Sequence, residues 1–150
     1  MKKTAAALEG LINQNRIPLQ SIPEDKMRSK PAPHKWSKKE ILGHLVDSAE
    51  NNIRRFIAAR YEESPFIVYN QDKWVSVNNY QEWRVNDIIE LWYLLNKQVV
   101  AIWENTPSGT EQRSCLTEEL HTIDWLANDY IKHLKHHLHQ VLELEPVAYP

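Results

Sequence analysis

The chain has 150 residues, 42% hydrophobic and 25% charged, which suits one domain spanning residues 1–150 with a real core. A net charge of −2 and a pI near 6.4 argue against general nucleic-acid binding, which needs a basic surface. No stretch approaches the ~18 apolar residues of a membrane span, and the apolar run at the start stops at Glu9-Gly10, too short for a signal peptide.

The hydrophobic spacing predicts four helices. The first covers roughly Lys3 to Asn15, with Leu8, Leu11 and Ile12 on one face. A loop with four prolines follows, Ile17 to Lys35. Ser37-Lys38-Lys39-Glu40 is a capping box and starts the second helix, which continues through Ile41, Leu45, Ala49, Ile53 and Phe56 to about Arg60. Glu62 to Arg84 reads as a long connection. A short strand is possible at Pro65 to Tyr69, though nothing obvious pairs with it. The third helix runs from about Asn86 to Glu104, with Ile88, Leu91, Trp92, Leu95, Val99 and Ile102 on the 3.6 period. The polar segment Thr106 to His121 ends it. That segment holds the single cysteine, Cys115, which has no adjacent His or Lys to activate it and points to a reducing, cytoplasmic compartment. The fourth helix starts at Thr122 as N-cap and ends by Glu145-Pro146, its apolar stripe running through Trp125, Leu126, Tyr130, Leu134, Leu138 and Val141.

Four amphipathic helices in a small domain bury their stripes best as an all-α four-helix bundle. The connection between helices two and three exceeds the ~12–15 residues usual for a loop and can travel the length of the bundle. Helices two and three can then run parallel, in an up-down-down-up order.

Two histidines of the fourth helix, His133 and His137, fall within its inward stripe one turn apart. Residues four apart on a helix have Cβ atoms about 5–6 Å from each other, so two imidazoles can share a metal ion. His44 lies at the edge of the inward stripe of helix two, about 10 Å from its N-cap at 1.5 Å per residue. His133 and His137 lie about 15 and 9 Å from the far end of helix four by the same rise. If those helices are antiparallel neighbours, the three rings meet at one level. Three neutral imidazoles with an open fourth position make a reactive rather than a sealed metal site. Zinc is the first choice; nickel, cobalt or iron would also accept these ligands. Asp47 is the one obvious general base near the triad. Asp47, Ser48 and Gln140 are candidates for hydrogen bonds that orient the rings. His34, His121, His136 and His139 are expected to face solvent. Tyr69, Trp74 and Trp83 either form a lid over the site or tuck the long loop onto the bundle.

Three segments in order carry a resemblance to a known family: Trp36 to Ser48, Tyr69 to Trp74 leading to Tyr80, and Trp125 to Gln140. From roughly Pro31 to Leu142 the chain resembles the DinB-like superfamily. The resemblance implies an up-down-down-up four-helix bundle and a divalent metal held, by motif match, on His44, His133 and His137. It implies a homodimer and a small-molecule substrate. Some relatives are S-transferases or isomerases that use a low-molecular-weight thiol such as bacillithiol or mycothiol, and others are described only as metal-dependent hydrolases. The expected function is therefore metal-dependent thiol transfer or hydrolysis. The competing expectation is a metal-binding bundle without turnover, a sensor or dimerisation module.

Overall fold

The computed structural model describes residues 1–149. Four long helices, α1 (Lys2–Gln20), α3 (Lys38–Ala58), α5 (Val85–Glu104) and α6 (Ile123–Leu142), enclose the core, joined by short helices α2 (Glu24–Arg28) and α4 (Gln71–Asn78) and a hairpin of β1 (Ser114–Leu116) and β2 (Leu120–Thr122). Helix α1 packs on α5 and α6, and α3 packs on the same two. The long helices thus form a ring in which α1 lies diagonally across from α3. The expected all-α bundle is present, with α3 and α6 as neighbours.

Helix α3 is the axis of the site. Every residue from Leu42 to Ala49 is buried, so the helix is enclosed all round. A helix in that position is expected to be apolar on every face. Here the buried run includes His44, Asp47 and Ser48, and buried polar groups need partners or a task. The capping box that starts α3 forms as expected: Glu40 N–H donates to Ser37 Oγ at 3.1 Å, and Ser37 N–H donates to Glu40 Oε2 at 2.8 Å. An aromatic cluster of Phe56, Trp103 and Tyr130 joins α3, α5 and α6 at ring separations of 5.2–6.4 Å. Tyr130 is satisfied there by donating to Asn96 Oδ1 at 2.8 Å.

The connections carry more structure than the sequence pattern implied. Helix α1 runs a turn beyond the expected end and past Pro18, because fully buried Leu19 anchors that turn. Pro23 caps α2, which is held by buried Met27 and by Lys39, whose enclosed Nζ donates to Glu24 at 2.9 Å. Asn70 caps α4 by accepting from Lys73 N–H at 2.9 Å. The segment Pro65 to Tyr69 has a partner after all. Phe66 bridges Leu116 in parallel, with Ile67 N–H donating to Leu116 O at 2.9 Å. Cys115 is therefore buried in a strand rather than lying in a polar loop. Its thiol donates to Pro65 O, and burial pushes its pKa up.

Candidate metal centre

His44, His133 and His137 converge, with one ring nitrogen of each within 4.8 Å of the others. His44 Nε2 lies 3.0 Å from His133 Nε2. Two imidazole lone pairs at that distance repel unless a proton or a cation stands between them. Burial pushes His44 down to about pKa 3 and His133 to about 2, with neighbouring imidazoles of the cluster adding to the effect. His137 is lowered for the same first reason. Near neutral pH the three rings are uncharged, which is the form that ligates a metal.

Hydrogen bonds fix which nitrogen of His137 faces the cluster. His136 Nδ1–H donates to Val147 O at 2.7 Å, so His136 Nε2 is an acceptor. It receives a bond from Gln140 Nε2 at 2.8 Å. Gln140 Oε1 in turn lies 2.8 Å from His137 Nδ1 and accepts its proton. His137 Nε2 is left with a lone pair for the cluster. His133 Nδ1 lies 3.5 Å from Ser48 Oγ. The buried Nδ1 of His44 has no hydrogen-bond partner among the described residues. Trp36 packs on the His44 ring, 5.1 Å between centroids. The donor set, its uncharged state and the ring orientations fit a divalent cation of the zinc, nickel, cobalt or iron type.

Ser48 and Gln140 stand where the sequence reading expected them. Asp47 does not meet the imidazoles. Its carboxylate is buried, accepts from Tyr80 Oη at 2.5 Å and from Asn78 Nδ2 at 2.9 Å, and does not line the cavity beside the cluster. Burial raises its pKa to about 6. The Tyr80 ring lies flat on α3 at Gly43, where an added Cβ would come within 2.1 Å of the ring. His136 and His139 are not solvent-facing as expected. Both are half-buried under the C-terminal segment, His139 donating to Glu145 O at 2.6 Å. His121 is half-buried too, stacked on Trp125 at 3.6 Å. Trp125 leaves the inward stripe and is exposed. His34 is exposed, as expected.

A cavity of about 750 Å³ opens beside the cluster between α3, α6 and the hairpin, with His133 and His137 on its wall. Of the three aromatics expected as a lid or tuck, Tyr69 lines this cavity and meets Trp74 edge to face at 5.6 Å, while Trp83 packs on Tyr80 instead. Several wall residues were not anticipated, among them Arg55, Asp129 and Tyr149, with Glu118 and Glu119 on the hairpin side. Tyr149 packs against the His133 ring at 5.3 Å and donates to Asp129 Oδ2 at 2.9 Å. Asp129 precedes His133 by four residues, so the spacing that linked His133 to His137 also reaches it.

Residues 7–141 match the model of the DinB superfamily. A search of curated proteins returns no match. Solved structures share the fold. One is YfiT from Bacillus subtilis, described as a probable metal-dependent hydrolase with an unusual four-helix bundle topology. It has a TM-score of 0.86 and 19% identity over 94% of this chain and 83% of that one. Another is a mycothiol-dependent maleylpyruvate isomerase, seen as a histidine-to-alanine mutant. It has a TM-score of 0.78 and 11% identity over 97% of this chain and 62% of that one. No helix among the described residues is long and apolar enough to cross a membrane.

Proposed function

Because this chain belongs to the DinB superfamily, we propose that it is a metal-dependent enzyme acting on a small molecule, with His44, His133 and His137 holding one divalent cation. The observation that carries the reading is the meeting of three uncharged imidazoles from two helices beside a cavity of substrate size. A cation held there supplies a Lewis acid that favours the anionic form of a thiol or of water at neutral pH. The protein's own contributions are orientation and exclusion of water. Gln140 and Ser48 hold two of the rings, Trp36 backs the third, and Tyr149 covers the His133 edge. Asp47 enters as a positioning residue that holds Tyr80 against α3.

Transfer of a low-molecular-weight thiol to an electrophile is the first reading. A thiol made anionic is already a nucleophile and needs no further base, and Asp47 is engaged elsewhere. Hydrolysis is the second, favoured by Asp129, a carboxylate on the same wall one turn from His133. The working assembly is a homodimer in the cytoplasm, and light scattering in solution measures its mass.

Purified protein is tested by elemental analysis, then by conjugation of glutathione and cysteamine to a bromobimane electrophile and by hydrolysis of aryl esters. The His44→Ala variant runs in parallel. One metal per chain with thiol conjugation lost in His44→Ala supports transfer. Ester hydrolysis lost in His44→Ala supports the second reading. Stoichiometric metal with neither activity supports a binding module without turnover.

A further inference from the structure

The cavity beside the histidines is long rather than round. Its α3 wall carries Ser48, Asn52 and Arg55, and its α6 wall runs from His137 back to Trp125. At 1.5 Å per residue these walls extend about 10 and 18 Å. The histidines lie at one end. Arg55 lies toward the other, eleven residues beyond His44 on the same helix. Side chains on a helix lean toward its N-terminus, so the guanidinium leans back toward the cluster and stands of order 10 Å from it.

Arg55 is half-buried, and burial lowers its pKa. Yet no carboxylate pairs with it among the described residues. Its hydrogen-bond partners are neutral. Nε and Nη2 donate to Ile67 O at 3.2 and 3.1 Å, and Nη1 donates to Asn52 Oδ1 at 3.4 Å. A guanidinium has five N–H donors in a rigid fork. Three are used, which leaves one on Nη1 and one on Nη2 to donate to an oxyanion. Asp129, a carboxylate of the facing wall, accepts from the Tyr149 hydroxyl and acts on Arg55 through space without a direct bond. A half-buried cation hydrogen-bonded only to neutral groups keeps donors to offer, and an anionic ligand would meet its charge directly where Asp129 does so only at a distance.

We propose that Arg55 is the anion-recognition residue of this cavity, and that the substrate is an elongated small molecule whose carboxylate sits on Arg55 while its reacting end reaches the histidines. This rests on the preceding reading for what happens at the histidine end, but not for the anion contact itself.

The experiment is calorimetric titration with glutathione, with its dimethyl ester, and with cysteamine, on metal-loaded and on metal-free protein. Glutathione is expected to bind about tenfold to a hundredfold more tightly than the ester, the range for charge-assisted hydrogen bonds. The preference should shrink to within about twofold in Arg55→Met, and Arg55→Lys should keep part of it because the charge remains and the fork does not. Cysteamine, which has no carboxylate, should not respond to either substitution. Equal binding of glutathione and ester by the natural protein, tighter binding of the ester, or no binding of either in both forms would overturn the proposal. That comparison needs no variant, so a misfolded Arg55→Met protein does not blunt it. A chain that takes up no metal would defeat the metal-dependent reading and leave the metal-free comparison decisive here.

Discussion

The His137 ring owes its orientation to three hydrogen bonds in series, from Val147 O through His136 and Gln140. Removing the ligand and removing its support should therefore differ. His137→Ala deletes a donor and should reduce metal occupancy to a small fraction. His136→Ala leaves all three donors and should retain stoichiometric metal, with affinity lowered by no more than about tenfold, the low end for residues that orient a ligand. Elemental analysis and competition with a chromophoric chelator measure both, and equal losses would contradict the assignment of His137 Nε2 to the cluster. Gly43 supports the neighbouring ligand differently. Alanine is the better helix former by about 1 kcal/mol, but its Cβ would enter the Tyr80 ring, which cannot retreat while bonded to Asp47. Gly43→Ala should destabilise by about 1–3 kcal/mol, as overpacking does, read from denaturant midpoints. The three imidazoles were legible in the sequence because helical spacing decides which residues share a face. Arg55 was not, since a charged residue near the end of a helix normally faces water, and only the fold shows that it is half-buried and tied to Ile67 O.

The same contrast holds for the elements. Helices α3, α5 and α6 were legible because each is long, periodic and marked at its start or stop. Their boundaries moved by a few residues at most. Helices α2 and α4 and the hairpin were not, because five-, eight- and three-residue pieces carry too little periodicity to read. They are held by tertiary contacts, such as Lys39 on Glu24 and Ile67 on Leu116. The start of α3 is where local and tertiary signals agree. Ser37 Oγ caps Glu40 N–H and also accepts from Gln81 Nε2 at 2.7 Å, tying the cap to the turn after α4. Ser37→Ala should cost about 1–2 kcal/mol. Ser37→Gly should restore little of it, because the Gln81 bond is lost as well. A thermal melt of the two variants checks this, and full rescue by glycine would mean that the Gln81 contact contributes nothing.

For the molecule as a whole, the buried cluster links stability to both metal and protons. A ligand that binds only the folded chain adds about 2.7 kcal/mol at a hundredfold excess over its Kd, so a chelator should lower the melting temperature of metal-loaded protein. Without metal, the histidines set the acid limb. Their folded pKa values lie below the unfolded value of about 6.5, at about 3 for His44 and 2 for His133. Their contribution is complete above pH 6.5 and is lost as pH falls through that window, because the unfolded chain takes up protons that the folded chain refuses. Each can contribute a slope of up to about 1.4 kcal/mol per pH unit. Asp47 acts in the opposite sense. Its folded pKa of about 6 lies above the unfolded 3.8, so its contribution is complete below pH 3.8 and is lost as pH rises through about 6. Between pH 4 and 6 two or three imidazoles oppose one carboxyl, and the imidazoles prevail. Metal-free protein should gain stability from pH 4 to 6.5 and then level off. Asp47→Asn removes the opposing proton and keeps an oxygen to accept from Tyr80, so its acid limb should be steeper by up to one proton per pH unit. Urea midpoints across pH 4 to 7 measure both slopes. A flat profile in the natural protein would mean that the three rings take up protons in the folded chain as readily as in water.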